Sequence, residues 1–156
     1  MISPPAICVD RKRRMTDDKK TRILIIDDDV SFRDLLRLHL SAAGYQVQVA
    51  DDGVTGGRAL LAQTPDLIVS DLNMPFLDGF ELLSLLRSDP GTASIPVILL
   101  SGRSDGDTMA KAVELGAADF LIKPVTRDQL FESIEACLSR TKGRTAPPDY
   151  GSTPPV

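Results

Sequence analysis

DLIVSDLNMP, which spans residues 66–75, is the stretch of sequence that decides the fold. Apolar residues lead to a single carboxylate at Asp71, and Met74-Pro75 interrupts the pattern shortly afterwards. This pattern predicts a buried strand of a parallel sheet, because such strands are apolar on both faces. In open α/β sheets ligands bind beyond the carboxyl ends of the strands, so Asp71 is a candidate for chemistry.

The same kind of unit recurs along the chain. Further apolar runs that predict strands occur at residues 22–26, 45–50, 95–100 and 118–122. Helical spacing of apolar residues follows the strands at about 32–40, 53–63, 80–86, 105–115 and 126–140, with Ser31 as the expected N-cap of the first helix. The alternation predicts a doubly wound (βα)5 α/β fold, with one five-stranded parallel sheet and helices on both faces.

One folded domain is predicted over residues 21–141, between a disordered, basic arm at 1–20 and a disordered, Pro/Gly-rich tail at 142–156. The net charge of −4 comprises +3 on the arm, +1 on the tail and therefore −8 on the domain. This balance argues against direct nucleic-acid contact by the domain, which would need clustered positive charge.

Features that would place the chain in a membrane or an oxidising compartment are missing from the sequence. No apolar run approaches the roughly 18 residues needed to span a bilayer, and the first residues lack the apolar stretch of a signal peptide. We therefore expect a cytoplasmic protein without membrane insertion, in which Cys8 and Cys137 are unpaired thiols.

Reactive side chains follow four of the five predicted strands: Asp27-Asp28, Asp71, Ser101 and Lys123. Carboxylates at close range repel unless a cation joins them or one takes a proton. Oxygen ligands of this kind suit Mg²⁺, with Asp28 and Asp71 as direct ligands and a backbone carbonyl after Asp71 as a third. A carboxylate can also act as a nucleophile that forms an aspartyl-phosphate, with Lys123 and Ser101 at the other phosphoryl oxygens. Taken singly, each residue is as well explained by a helix cap, a turn or a solvated charge, but their shared position at strand ends favours a site.

Residues 22–140 resemble the receiver domain of two-component response regulators. The matching segments are ILIIDDD at 23–29, DLIVSDLNMPFLDG at 66–79, VILLSG at 97–102 and GAADFLIKPV at 116–125. The resemblance implies a flavodoxin-like fold with strand order 2-1-3-4-5.

The resemblance also implies a role for each site residue. Asp71 would be the phosphoacceptor, and Mg²⁺ would be bound by Asp28, Asp71 and the backbone carbonyl of Asn73, with Asp27 acting through metal-bound waters. Lys123 would pair with the phosphoryl group. Two further residues form the implied switch, in which Ser101 moves toward the phosphoryl group and Phe120 is the rotating aromatic. The family also implies a cis Lys123-Pro124 bond, and it implies that Asn73 and Arg103 tune how fast the phosphoryl group is lost.

The function implied by the resemblance is signalling by phosphorylation, without turnover of an external substrate. A histidine kinase or a histidine phosphotransfer protein would phosphorylate Asp71, and the surface of residues 104–140 would then bind an unidentified protein target or form a homodimer through the last two helices. Because residues 142–156 are too few and too rich in Pro to fold, we expect a single-domain receiver that acts through a partner or as a phosphate shuttle, or else part of a longer chain.

Two alternatives remain open at this point. One is a Mg²⁺-dependent phosphatase with an aspartate nucleophile, but such enzymes usually carry a second Asp two residues later, where this chain has Asn73. The other is a receiver-like binding module that is never phosphorylated, which the intact set of Asp71, Ser101 and Lys123 disfavours.

Overall fold

The strands and helices alternate as the sequence predicts. The structure, a computed structural model, describes residues 20–102 and 105–142, without the side chain at position 142. The strands are β1 (Arg22–Ile26), β2 (Gln46–Ala50), β3 (Leu67–Asp71), β4 (Val97–Ser101) and β5 (Asp119–Ile122). The helices are α1 (Val30–Ala42), α2 (Gly53–Ala62), α3 (Gly79–Ser88), α4 (Gly106–Glu114) and α5 (Arg127–Lys142).

The five strands form one parallel sheet in the order β2-β1-β3-β4-β5, which confirms the doubly wound fold and the implied strand order. β3 and β4 are buried along their whole length, whereas β2 alternates polar and apolar residues and occupies an edge. Register aligns the carboxyl ends, because Asp71 lies opposite Leu100 and Ser101 lies opposite Ile122. The side chains that follow these strands therefore share one edge of the sheet.

A separate apolar core fills each face of the sheet. On one face α1 and α5 supply Leu36, Leu40, Leu130 and Ile134. On the other face α2, α3 and α4 supply Leu60, Leu82, Leu83, Leu86 and Ala112. The two cores pack tightly against opposite faces of the sheet, so the positions of the strand ends are fixed.

Aspartate side chains cap the first four helices where each begins. Asp29, Asp52, Asp78 and Asp105 accept hydrogen bonds from the backbone N–H groups three residues on. The predicted cap at Ser31 is therefore wrong: the N-cap of α1 is Asp29, two residues earlier, and its side chain accepts a hydrogen bond from Phe32 N at 3.2 Å. Only Asp27 and Asp28 of the Asp27-Asp28-Asp29 run remain available to a site.

The ends of the domain lie close to the predicted limits. α5 continues to Lys142, and Thr141 Oγ1 donates to Cys137 O at 3.0 Å in this last turn. Most of the predicted arm, most of the predicted tail, and Cys8 lie outside the described residues, so their predictions stand as made. Cys137 is buried and free, as expected. No helix in the described ranges combines the length and apolarity needed to cross a membrane.

Candidate functional site

Three carboxylates meet at the carboxyl edge of the sheet. Oxygen atoms of Asp27, Asp28 and Asp71 all lie within 4.8 Å of one another. Asp27 and Asp71 are buried, with exposed fractions of 1% and 6%, whereas Asp28 is exposed. Two buried acids and one that faces solvent therefore form a cluster that is open on the side of Asp28.

The loop after β1 holds Asp27 in a fixed position. Its backbone N–H donates to Ala50 O at 3.1 Å, and its Oδ1 accepts from Asp29 N at 2.8 Å. Arg33, one turn into α1, donates to Asp27 O at 3.0 Å. These bonds orient the carboxylate before any ligand arrives, so little rearrangement is needed on binding.

Lys123 joins the carboxylates from the neighbouring side. Its Nζ lies 3.2 Å from Asp27 Oδ2 and 3.4 Å from Asp71 Oδ1. The Phe32 ring centroid lies 4.8 Å from the same Nζ, within the range of a cation–π contact. The backbone also fixes this residue, because Lys123 N donates to Ser101 O at 2.7 Å. The Lys123-Pro124 bond is cis, as the resemblance implies.

The charges at this edge influence one another strongly. Burial and the negative charge of Asp27 raise the pKa of Asp71, and they outweigh the opposing attraction of Lys123. Burial alone would lower the pKa of Lys123, but the carboxylates of Asp27 and Asp71 raise it above its ordinary value. Lys123 therefore stays charged at neutral pH, and a cation bound among the carboxylates would oppose the rise in the pKa of Asp71.

The donor set fits Mg²⁺. Three carboxylate oxygens within 4.8 Å offer hard ligands without a nitrogen or sulfur donor. Mg²⁺ usually takes one or two carboxylates and keeps several waters, and the exposed Asp28 leaves room for such waters. The cluster Asp27, Asp28 and Asp71 could thus hold a divalent cation, which would also remove the repulsion among its members.

The loop of residues 72–78, which follows Asp71, is closed at its base. Gly79 N donates to Leu72 O at 2.8 Å, and Leu72 N donates to Leu100 O at 2.8 Å. A Cβ at Gly79 would lie 2.9 Å from Asp71 O, which is closer than real Cβ atoms approach a backbone oxygen. Only glycine therefore fits at this position. Asn73, near the start of this loop, is exposed.

The predicted switch residues lie on adjacent strands. Ser101 is fully buried at the end of β4, one residue beyond Leu100, which is the register partner of Asp71. Phe120 lies opposite Leu99 on β5 and packs, partly buried, against the core beneath α2, α3 and α4. The structure thus places Ser101 beside the site and Phe120 further along the sheet, while Arg103 lies outside the described residues.

Three residues near the site were missed by the sequence analysis. The helical pattern placed Phe32 on the core face of α1, and nothing in that pattern indicated the contact with Lys123. Arg33 follows it without any distinguishing signal. Phe76 has a backbone φ of 71°, which its residue type does not predict.

Comparison with known proteins bears directly on this arrangement. The response regulator receiver domain family matches residues 23–135. The chain belongs to this family.

Two curated relatives show the extent of the match. The DNA-binding dual master transcriptional regulator RpaA of Synechocystis is 41% identical over 120 residues, which cover 77% of this chain and 50% of that protein. The response regulator MprA of Mycobacterium bovis is 38% identical over 125 residues, which cover 80% of this chain and 54% of that protein. The receiver chain thus spans about half the length of these relatives.

Solved structures agree with this assignment. A receiver domain protein from Clostridium thermocellum superposes with a TM-score of 0.72 at 30% identity, covering 78% of this chain and 97% of that one. The chemotaxis response regulator CheY4 of Vibrio cholerae gives a TM-score of 0.72 at 27% identity, covering 76% and 99%. The receiver assignment therefore rests on sequence and on fold together.

Proposed function

We propose that this receiver accepts a phosphoryl group on Asp71 from the phosphohistidine of a histidine kinase or a histidine phosphotransfer protein. The observation that carries the proposal is the position of Lys123 Nζ, which lies 3.4 Å from Asp71 and 3.2 Å from Asp27. A cation beside a carboxylate at a strand end is placed to receive the oxygens of an incoming phosphoryl group.

The transfer exchanges one bond for another. An Asp71 carboxylate oxygen attacks phosphorus, the phosphorus–nitrogen bond to the donor histidine breaks, and its electron pair returns to the imidazole nitrogen. Lys123 pairs with a phosphoryl oxygen, and the Ser101 hydroxyl donates to another. Mg²⁺, held by Asp28, Asp71 and the Asn73 carbonyl with Asp27 on its waters, would neutralise the charge that builds on the phosphoryl group.

Phosphorylation then alters the surface of residues 104–140 for a protein target or for a second copy of the chain. The physical basis is the chain of neighbours from Asp71 through β4 to β5. If the Ser101 hydroxyl moves toward a phosphoryl group, space opens beside β5, where Phe120 can follow. The receiver acts on its partner by this shift in conformation and turns over no external substrate.

The test is labelling by a small phosphodonor. Native protein is incubated with Mg²⁺ and acetyl phosphate, and the adduct is followed by intact mass and by its loss in base. Asp71→Asn should abolish the adduct. Asp51→Asn, at an exposed carboxylate beyond β2 that is not part of the cluster, should leave it unchanged.

Three results would contradict the proposal. Equal labelling of Asp71→Asn would place the phosphoacceptor elsewhere. Failure of native protein to label at all would favour an unphosphorylated binding module. Steady hydrolysis of p-nitrophenyl phosphate, dependent on Asp71, would instead identify a phosphatase.

A further inference from the structure

Arg33, the fourth residue of α1, directs its side chain toward the loop after β1. Its Nη1 donates to Asp27 O at 3.0 Å in a part-buried contact. Its backbone N–H donates to Asp29 O at 2.9 Å, which is the bond that opens the helix. One residue of α1 therefore contacts both ends of the Asp27-Asp28-Asp29 run.

The carbonyl group that Arg33 binds belongs to the peptide group between Asp27 and Asp28. A peptide group is planar and rigid, so a hydrogen bond to its oxygen restrains the Cα atoms on both sides. These Cα atoms carry two of the three carboxylates whose oxygens lie within 4.8 Å of one another. A single contact of Arg33 therefore restrains both the separation and the direction of two carboxylates.

Asp28 depends most on this restraint. Its carboxylate is exposed, and within the part of the chain that the structure describes it has no hydrogen bond or ion pair of its own. The Asp27 carboxylate, by contrast, accepts from Asp29 N at 2.8 Å and lies 3.2 Å from Lys123 Nζ. The backbone next to Asp28 is consequently the main restraint on where its carboxylate lies.

The position of Arg33 is not one that helix stability favours. A cation in the first turn of a helix lies at the positive end of the helix dipole, which opposes it. The Nε of Arg33 is also buried without an acceptor among the described residues, and burial of an unpaired N–H group is unfavourable. These two unfavourable features indicate that the guanidinium group stabilises the loop rather than the helix.

We propose that Arg33 is a positioning residue for binding of a divalent cation by the carboxylate cluster. The inference rests on the proposed function, in which Mg²⁺ held by this cluster assists transfer to Asp71. Arg33 fixes the peptide group between Asp27 and Asp28 before the ion binds. Mg²⁺ tolerates little deviation from octahedral geometry, so its affinity depends on how well its ligands are restrained.

The charge of Arg33 has the opposite effect on the affinity. A guanidinium group near the cluster repels a divalent cation, so loss of the charge alone would tighten Mg²⁺ binding. Loss of the restraint would weaken it, typically about 10- to 100-fold where a residue that orients metal ligands is removed. The direction of the change therefore separates a positioning role from a purely electrostatic one.

The experiment measures the Mg²⁺ affinity of the full chain by isothermal titration calorimetry. Arg33→Met keeps much of the side-chain volume but removes the donor and the charge, and it should weaken binding about tenfold or more. Arg33→Lys keeps the charge on a shorter side chain without the planar fork, and it should weaken binding about two- to fivefold.

The matched control is Arg37→Met, which removes the same charge one turn further along α1. Arg37 is exposed and lies 3.9 Å from Asp34, so its charge is largely screened from the cluster. The affinity of this variant should stay within about twofold of native. Urea denaturation establishes that every variant is folded under the conditions of the titration.

Labelling by acetyl phosphate gives a second measurement. Arg33→Met should need about tenfold more Mg²⁺ than native protein to reach its half-maximal rate. At saturating Mg²⁺ its rate should be within about twofold of native, because the restraint matters only until the ion is bound. A loss of folding stability alone would not shift the Mg²⁺ dependence of the folded protein.

Several results would overturn the inference. Arg33→Met could bind Mg²⁺ as tightly as native protein or more tightly, or Arg37→Met could weaken binding equally. A lower maximal rate with unchanged Mg²⁺ dependence would assign Arg33 to the chemistry instead. Should Arg33→Met fail to fold, Arg33→Lys decides, and native affinity in that variant overturns the inference. Native protein that binds Mg²⁺ but takes no label would refute the phosphoacceptor role of Asp71, and the affinities would still decide the role of Arg33.

Discussion

Two cationic side chains tie segments together at opposite edges of the sheet. At the carboxyl edge Lys123 contacts the carboxylates of Asp27 and Asp71. At the amino edge Arg87, from α3, donates to the carbonyl oxygens of Ala93 at 3.0 Å, Ile95 at 2.8 Å and Gly116 at 2.9 Å. Both join parts of the chain that are distant in sequence.

The difference lies in the acceptors. The carbonyl groups that Arg87 binds are backbone dipoles that do not ionise. The planar guanidinium of Arg87 can donate to several such fixed acceptors at once. The carboxylates that Lys123 binds can take a metal, a proton or a phosphoryl group, and each change alters the attraction on the ammonium. The contacts of Arg87 therefore stabilise a single conformation. The contacts of Lys123 can change when a carboxylate binds a metal, a proton or a phosphoryl group.

The largest expected effect is at the fixed edge. Arg87→Ala removes bonds to carbonyls of three loop residues and should lower the free energy of unfolding by about 2–4 kcal/mol. Urea denaturation measures this change. Arg37→Ala is the control, because its exposed pair with Asp34, at 3.9 Å, should contribute less than about 0.5 kcal/mol. Equal stability of the two variants would show that the carbonyl contacts of Arg87 contribute nothing.

The next effect is at the responsive edge. Lys123→Ala should tighten Mg²⁺ binding on the order of tenfold, because the ammonium group competes with the metal for Asp27 and Asp71. Isothermal titration calorimetry measures the affinity, and Lys111→Ala, which alters an exposed lysine over the Phe80 ring, should leave it unchanged. Weaker Mg²⁺ binding by the Lys123 variant would reverse this account of the site.

The same variant tests the proposed coupling. Lys123→Ala should still accept phosphate from acetyl phosphate, since Asp71 is intact, but the change that phosphorylation causes near Phe120 should be lost. Fluorine NMR of fluorophenylalanine-labelled protein monitors this position. A normal phosphorylation response in the variant would separate Lys123 from the switch.

A smaller effect is expected at Phe32. Its ring lies 4.8 Å from Lys123 Nζ, and such a contact is worth about 0.5–1 kcal/mol at an exposed site. Phe32→Leu should therefore tighten Mg²⁺ binding about two- to fivefold, and Phe32→Tyr should not. In the Lys123→Ala background, Phe32→Leu should have no further effect, and additive effects would show that the ring acts independently of the ammonium.

The smallest expected effect is at Cys137, a buried thiol that belongs to neither the Lys123 nor the Arg87 contacts. Burial raises the pKa of the Cys137 thiol above its ordinary value. On unfolding the thiol releases its proton more readily, so the stability it contributes is present below its unfolded pKa, about 8.5, and declines as the pH rises. The free energy of unfolding of Cys137→Ala should therefore fall less steeply than that of native protein between pH 8 and 10. Parallel curves would show that the thiol does not titrate differently on folding.

The features that could be predicted from the sequence are those that depend on the pattern of apolar residues and on the order of these segments along the chain. The strands, their parallel arrangement and the shared edge of Asp27, Asp71 and Lys123 all follow from apolar runs that end in reactive residues. The strand order came from a resemblance, because alternation alone does not order a sheet.

What could not be predicted depends on contacts between distant residues or on unusual backbone. In Asp27-Asp28-Asp29 the three side chains are chemically identical, so only the structure shows that Asp29 caps α1. Arg87 and Gly116 are 29 residues apart, and no local pattern marks their bond. Phe76 adopts a φ that propensities assign to Gly or Asn, so sequence reasoning would place it elsewhere.

The bond between Gly79 N and Leu72 O has a consequence for how this domain can diversify. Because the loop of residues 72–78 is pinned at its base, changes at its tip need not displace Asp71. Substitutions at the exposed Phe76 could therefore alter the surface of the loop while the nucleophile keeps its geometry. The exposed surface of the loop and the reacting carboxylate are thus adjacent in the sequence but mechanically separate, so one can vary without displacing the other.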